Sequence, residues 1–73
     1  MVMREKVTEF IVLTIRKFAK DHDMSVSDTY NYLSKYKGIE YLEKNYEYEH
    51  TLGFDEIISN LSEFCIKNGG QIW

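Results

Sequence analysis

Two apolar stripes with the spacing of an α-helix constrain the fold of this chain more than any other feature. Within residues 4–20, the spaced side chains are Val7, Phe10, Ile11, Thr14, Ile15 and Phe18. Within the last third, they are Phe54, Ile57, Ile58, Leu61, Phe64 and Cys65. Intervals of three and four residues put such side chains on one helical face. No segment alternates apolar and polar residues for long enough to form a strand, so the sequence predicts an all-α fold.

Two shorter helices are expected between these stripes. Ser25 has the character of an N-cap for a second helix over residues 26–37, and Gly38 is placed to end it in a left-handed conformation. A third helix of about two turns is expected over residues 39–46. Residues 48–53 have no helical pattern and are interpreted as a loop. The predicted architecture is a small bundle of three main helices plus one short helix, packed around the first.

The length of 73 residues allows one domain, with an ordered core expected over residues 4–68. So small a domain buries only about 60% of its unfolded surface, which leaves little stability to spare. Cys65 is the only cysteine, so no intramolecular disulfide can form, and a reducing compartment is favoured. With no Cys/His cluster to hold zinc, self-association as a symmetric homodimer is the expected reinforcement.

Sequence features also limit the location and chemistry of the protein. The longest apolar run, residues 10–13, is far too short to span a membrane, so a cytoplasmic location is predicted. No Ser/His/Asp set, phosphate-binding loop or paired carboxylates can be identified, so neither enzymatic activity nor a cofactor is expected. His22 lies between two aspartates, but without a third ligand it is interpreted as part of a surface turn rather than a metal site.

Six tyrosines lie between residues 30 and 48, which is more than a small core requires. Tyr30 and Tyr46 fit buried helix faces, whereas Tyr32, Tyr41 and Tyr48 do not. Exposed tyrosines are typical of protein interfaces, because they give a large contact area at small entropic cost. They can equally cover the edges of a thin core with their hydroxyls in water, and both interpretations remain open.

Charge is distributed unevenly along the chain. Residues 1–37 hold seven basic and five acidic side chains (+2), and residues 38–73 hold two basic and seven acidic ones (−5). Between residues 40 and 54 there are four glutamates and a single lysine, which favours a basic protein partner. The predicted partner-binding residues in this region are Tyr41, Glu47, Tyr48, Glu49, His50 and Phe54.

The sequence His50-Thr51-Leu52-Gly53 directly precedes the last helix. His50 can bond a carbonyl and hold the loop, or it can contact a partner. Thr51 is expected to cap the helix or its approach, and Gly53 to permit an unusual backbone angle. The charges of Glu47 and Glu49 are expected to be solvated.

A helix-turn-helix arrangement is the main alternative to protein binding. The first helix, a four-residue turn and a capped second helix have suitable proportions. The second helix has no arginine, however, and Asp28 at its start would face phosphate unfavourably, so nucleic-acid binding is not favoured.

The order of these features resembles a family of short, uncharacterised bacterial proteins, a domain of unknown function. The resemblance extends over residues 5–67, and its most specific element is His50-Thr51-x-Gly53. It implies a setting beside an ADP-ribosyltransferase-like domain, in a layout like that of a toxin–antitoxin pair, and it supplies no catalytic residues. The first hypothesis is therefore a non-catalytic, antitoxin-like interaction module that restrains a partner enzyme. The alternatives are a DNA-binding regulator and an acidic inhibitor from a phage or mobile element.

Overall fold

The computed structural model describes residues 4–70 and contains five helices. They are α1 (Arg4–Asp21), α2 (Val26–Lys35), α3 (Gly38–Lys44), α4 (Tyr46–Glu49) and α5 (Phe54–Lys67). The central position predicted for the first helix is confirmed, since α1 packs against α2, α3 and α5. The all-α class is confirmed for residues 4–70, which include no strand. None of the described helices is long and apolar enough to cross a membrane.

The two apolar stripes of the sequence form the core. Their periodicity correctly located α1 and α5 to within a residue or so at each end. α2 adds Leu33 and α3 adds Leu42, and both side chains are completely buried. The core cluster consists of Phe10, Ile15, Phe18, Leu33, Leu42, Ile57, Ile58, Leu61 and Cys65.

Two threonines are buried among these apolar side chains. The hydroxyl of Thr14 donates a hydrogen bond to the carbonyl of Phe10 at 2.7 Å, and that of Thr29 to the carbonyl of Ser25 at 2.8 Å. Burying a hydroxyl costs free energy unless it is bonded, and these local bonds remove most of that cost. Ser25 is the N-cap of α2, as predicted. Its Oγ accepts a hydrogen bond from the Asp28 amide at 3.0 Å.

The junction between α2 and α3 differs from the prediction. Gly38 was expected to be left-handed, but Lys37 takes that conformation with φ of 65°, and Gly38 is the first, buried residue of α3. A Cβ on Gly38 would lie 3.0 Å from both Cys65 Sγ and Leu33 Cδ2. The glycine is therefore required for close packing rather than for its backbone angle.

The predicted helix over 39–46 and the predicted loop over 48–53 are both wrong in their boundaries. α3 ends at Lys44, where the Asn45 side-chain amide donates to the Tyr41 carbonyl at 2.9 Å. The chain then forms one more helical turn, α4. The bundle therefore has two short helices between its longer ones, and not the single one expected.

The tyrosines are distributed differently from their predicted pattern. Tyr30 was expected to be buried, but its side chain is 52% exposed, because α2 directs Thr29 and Leu33 into the core instead. Tyr32 and Tyr41 were expected at the surface and are half-buried against the core. Tyr46 was expected on a buried helix face and is half-buried, so this prediction is only partly correct.

Candidate functional site

Glu49 is the least expected residue of the predicted site, because its side chain is only 1% exposed. Its Oε2 accepts a hydrogen bond from the Tyr41 hydroxyl at 2.9 Å and one from the Asn60 side-chain amide at 3.3 Å. Its Oε1 has no hydrogen-bond partner within residues 4–70. The expectation of a solvated Glu49 is wrong, since the side chain is buried and two donors from neighbouring helices bond one of its two carboxyl oxygens.

Tyr41 faces the interior together with Glu49. Its ring packs on Phe64 with the ring centroids 4.7 Å apart, which ties α3 to α5. Burial raises the pKa of Tyr41 to about 12, with the hydrogen bond to Glu49 and the nearby charges adding to that effect. The hydroxyl therefore stays protonated at neutral pH and remains a donor to Glu49.

The single turn of α4 directs its side chains to two sides. Glu49 points inward, whereas Glu47 and Tyr48 are exposed. At 63% exposure, Tyr48 has the most solvent-accessible side chain among the exposed large hydrophobic residues of the described chain. The predicted surface position of Tyr48 is confirmed.

His50 and Thr51 bond the carbonyls at the C-terminal end of α4 and do not cap the N-terminus of α5. The His50 Nδ1–H donates to the Tyr46 carbonyl at 2.7 Å, and the ring stacks on that of Tyr46 with centroids 4.5 Å apart. The Thr51 hydroxyl donates to the Tyr48 carbonyl at 2.7 Å. The carbonyl bond predicted for His50 is thus present. Of the two roles expected for Thr51, it does not cap the last helix, but it does bond the turn that leads into that helix.

Gly53 is the N-cap residue of α5, and its φ of −71° and ψ of 155° are ordinary extended values. The predicted need for an unusual backbone angle is therefore wrong. A Cβ at this position would meet no atom within 4 Å, so close packing does not require glycine either.

Phe54 packs away from the other predicted site residues, against the core and α1. Its ring is half-buried against the core, and the Lys17 ammonium of α1 lies 5.6 Å from the ring centroid. Three of the six predicted residues, Glu47, Tyr48 and His50, are exposed along one short segment, and we refer to them as the Tyr48 surface. Tyr41 and Glu49 support this surface from the interior.

Asn60 is the residue that sequence reasoning missed. It lies three residues after Ile57 and four before Phe64, within the apolar stripe of α5. A polar side chain at a core-facing position needs a buried partner, and this signal could have indicated a buried acceptor such as Glu49.

Among residues 4–70, no three His, Cys, Asp or Glu side chains are grouped so that they could hold a metal ion. His22 instead donates its Nδ1–H to the Phe18 carbonyl at 3.0 Å and stacks on the Phe18 ring, as His50 does on Tyr46. Burial raises the pKa of Cys65 to about 11, so this thiol is protonated at neutral pH and packs in the core as predicted.

Comparison with known proteins identifies a family of uncharacterised function. No curated protein and no solved structure matches the chain. The family model described as "Protein of unknown function (DUF3791)" matches residues 9–68, a range that includes Asn60 and the entire Tyr48 surface. The match covers most of the 73 residues, and the chain belongs to the DUF3791 family.

Proposed function

We propose that this protein is a non-catalytic interaction module that binds a protein partner through the Tyr48 surface. The observation that carries the proposal is the 63% exposure of Tyr48 on a helical turn fixed from beneath by buried Glu49. An aromatic residue held in place before binding loses little conformational entropy in the complex. Tyr48 is the proposed anchor of the contact.

The charge near Tyr48 supports a basic partner. Glu47 is exposed and forms no ion pair with any other residue of the described range 4–70. The neighbouring chain, residues 40–54, has four glutamates and one lysine, although Glu49 is buried. Unpaired surface charges of one sign accelerate encounter with a partner of the opposite sign.

The proposed partner is an ADP-ribosyltransferase-like enzyme encoded beside this chain, which the module would restrain as an antitoxin does. The resemblance noted from His50-Thr51-x-Gly53 and the surrounding residues supports this choice of partner. His50 would contribute by holding the end of α4 through its bond to Tyr46.

The test is co-purification of the full chain with that neighbouring gene product, followed by calorimetric titration and assay of the enzyme's NAD consumption. We expect a stable complex and reduced NAD consumption. Tyr48→Ala and Glu47→Lys should each weaken the complex by about tenfold or more, as expected for a contact residue and a charge at an interface.

Tyr30→Ala is the matched control, because Tyr30 is a similarly exposed tyrosine on α2. All three variants should keep the melting temperature of the parent, since each removes or replaces an exposed side chain. Normal binding by both Tyr48→Ala and Glu47→Lys would contradict the proposed surface, and the absence of any complex would contradict the proposed partner.

Two other functions make different predictions. A DNA-binding regulator would retard duplex DNA in a strongly salt-dependent manner. The recognition helix of such a regulator would be α2. This helix has Asp28 in its first turn and its only basic residue in its last turn, so no observation favours DNA binding. An acidic inhibitor from a phage or mobile element would use the same carboxylates on a nucleic-acid-binding protein, and it would leave the NAD consumption of the neighbouring enzyme unchanged.

A further inference from the structure

The solvent-facing side of α1 has an apolar centre that the rest of the protomer leaves exposed. Val12 and Leu13 are 40% and 49% exposed at the middle of this 18-residue helix. With Thr8 and Glu9 they line a shallow groove on the helix surface. Six exposed residues on this side of the helix form what we call the outer face of α1: Glu5, Glu9, Val12, Leu13, Arg16 and Lys20. At 3.6 residues per turn, these six fall within an arc of about 100°.

Charge on the outer face is segregated along the helix axis. Glu5 and Glu9 precede the apolar centre, and Arg16 and Lys20 follow it. Each pair is spaced four residues apart, so like charges lie one above the other and destabilise an isolated helix. The helix dipole accounts for Glu5 and Lys20 in the terminal turns, but its effect does not extend to Glu9 and Arg16.

None of these four charges forms an ion pair with another residue in the 4–70 range. The charges of the outer face are instead complementary to those of a second copy of this face that runs in the opposite direction. Two antiparallel copies of α1, with a twofold axis between Val12 and Leu13, bring residue n of one copy level with residue 25 − n of the other. Glu5 then lies opposite Lys20 of the second copy, Glu9 opposite Arg16, and Val12 opposite Leu13.

We infer that this face binds a second copy of the chain, forming a symmetric dimer through antiparallel α1 helices. Four apolar side chains meet at the twofold axis, and two pairs of opposite charge flank them on each side. A parallel arrangement would place like charges together, and a shift by one helical turn would separate the apolar centres. The inference is independent of the proposed partner function, because no residue of the outer face belongs to the Tyr48 surface.

The size of the interface sets the expected strength of the dimer. α1 is about 27 Å long at 1.5 Å per residue, so one helix from each protomer gives a contact at the small end of specific interfaces, about 1,200 Å² or less. The dimer should therefore be reversible on dilution. It should also weaken as salt is added, because salt screens exposed charge pairs.

Sedimentation equilibrium of the full chain, at low and high salt, tests the dimer. We expect a monomer–dimer equilibrium that shifts toward monomer at high salt. A chain that remains monomeric at every concentration and salt level overturns the inference, as does a dimer whose strength does not depend on salt.

Charge reversal tests the pairing itself. Glu9→Arg and Arg16→Glu should each weaken self-association by roughly tenfold, because each places like charges opposite one another at two symmetry-related positions. An equimolar mixture of the two variants should associate about as strongly as the parent, because every such position then has opposite charges. Unchanged circular dichroism of each variant confirms that it is folded. Failure of the mixture to associate overturns the antiparallel pairing.

Leu13→Lys and Ile66→Lys form a matched pair for the apolar centre. Ile66 is 52% exposed on α5, close to the exposure of Leu13. Leu13→Lys should abolish the dimer, and Ile66→Lys should leave it intact. The reverse result would place the contact on α5 and overturn the inference.

Discussion

At the scale of single residues, the most consequential side chain is the buried carboxylate of Glu49. Two donors, the Tyr41 hydroxyl and the Asn60 amide, satisfy its Oε2. Burying a carboxyl group costs free energy unless it is hydrogen-bonded. Glu49 therefore makes the position of α4 depend on side chains contributed by α3 and α5.

Tyr41→Phe should destabilise the protein by about 1–3 kcal/mol, because it removes one of the two donors to a buried carboxylate. Tyr32→Phe is the matched control. The Tyr32 hydroxyl is buried without a hydrogen-bond partner in residues 4–70, so its removal should be neutral or slightly stabilising. Urea unfolding of the two variants measures both effects, and equal losses would show that the bond to Glu49 contributes nothing.

The same two tyrosines should make the protein sensitive to alkali. Burial, as the main cause, raises the pKa of Tyr32 and of Tyr41 from 10.0 to about 12. Between these values the unfolded chain releases protons that the folded chain retains. Their contribution to stability is therefore complete below pH 10 and is lost as pH rises toward 12.

Urea midpoints measured across this pH interval test the prediction. Tyr41→Phe and Tyr32→Phe should each make the alkaline loss of stability less steep than in the parent, since each removes one group that ionises in the unfolded chain. Tyr30→Phe, at an exposed position, should leave the slope nearly unchanged. A slope that is the same in all four proteins would contradict the assignment.

At the scale of helices, the two best-defined N-caps share one backbone conformation but differ in side chain. Ser25 has φ of −72° and ψ of 159° and caps α2 through its Oγ. Gly53 has φ of −71° and ψ of 155° and offers α5 no side-chain bond. The Glu56 amide of α5, equivalent to the Asp28 amide that Ser25 caps, donates to the Gly53 carbonyl at 3.1 Å instead of to a side chain.

Gly53→Ser should stabilise the protein by about a few tenths of a kcal/mol, because the new hydroxyl can accept a bond from the first turn of α5. The position has open space for the side chain. Differential scanning calorimetry measures the change, with Ser25→Gly as the converse variant, expected to lose a few tenths of a kcal/mol. A destabilised Gly53→Ser variant would contradict the role assigned to this residue.

Gly38→Ala should have the opposite outcome, a loss of about 1–3 kcal/mol through overpacking. Its Cβ would lie 3.0 Å from Cys65 Sγ and 3.2 Å from Leu61 Cδ1, in the middle of the core. The higher helical propensity of alanine offsets part of this cost. Chemical denaturation beside the parent gives the difference, and a gain in stability would mean that α3 can move away from α5.

The helices also mark the limit of prediction from this sequence. Long apolar stripes located α1 and α5, because many spaced side chains report on the same face. α4 was missed because a helix of four residues has no periodicity, and its stability comes from Glu49 and His50 bonds to other residues. Burial of Glu49 depends on the donor Asn60, eleven residues away, which no local pattern reveals. The exposed position of Tyr48, by contrast, followed correctly from its misfit with any apolar face.

At the scale of the whole molecule, the described chain is as compact as its length permits. Its Cα radius of gyration is 11.3 Å, against about 11 Å expected for a compact domain of this size. The core nevertheless consists of a single cluster of side chains contributed by α1, α2, α3 and α5. Each core residue therefore contributes a large share of the total stability, which should lie at the low end of about 5–15 kcal/mol.

Leu61→Ala is the sharpest test of this single core. Leu61 is completely buried on α5, and its truncation should cost about 2–5 kcal/mol through lost burial and the cavity that remains. Because that loss approaches the total stability, the variant should melt at a much lower temperature or be largely unfolded at 25 °C. Ile66→Ala, on the exposed side of the same helix, should change stability by no more than about 0.5 kcal/mol. Thermal melts followed by circular dichroism distinguish the two, and a Leu61→Ala variant that melts within a few degrees of the parent would show that α5 is not essential to the core.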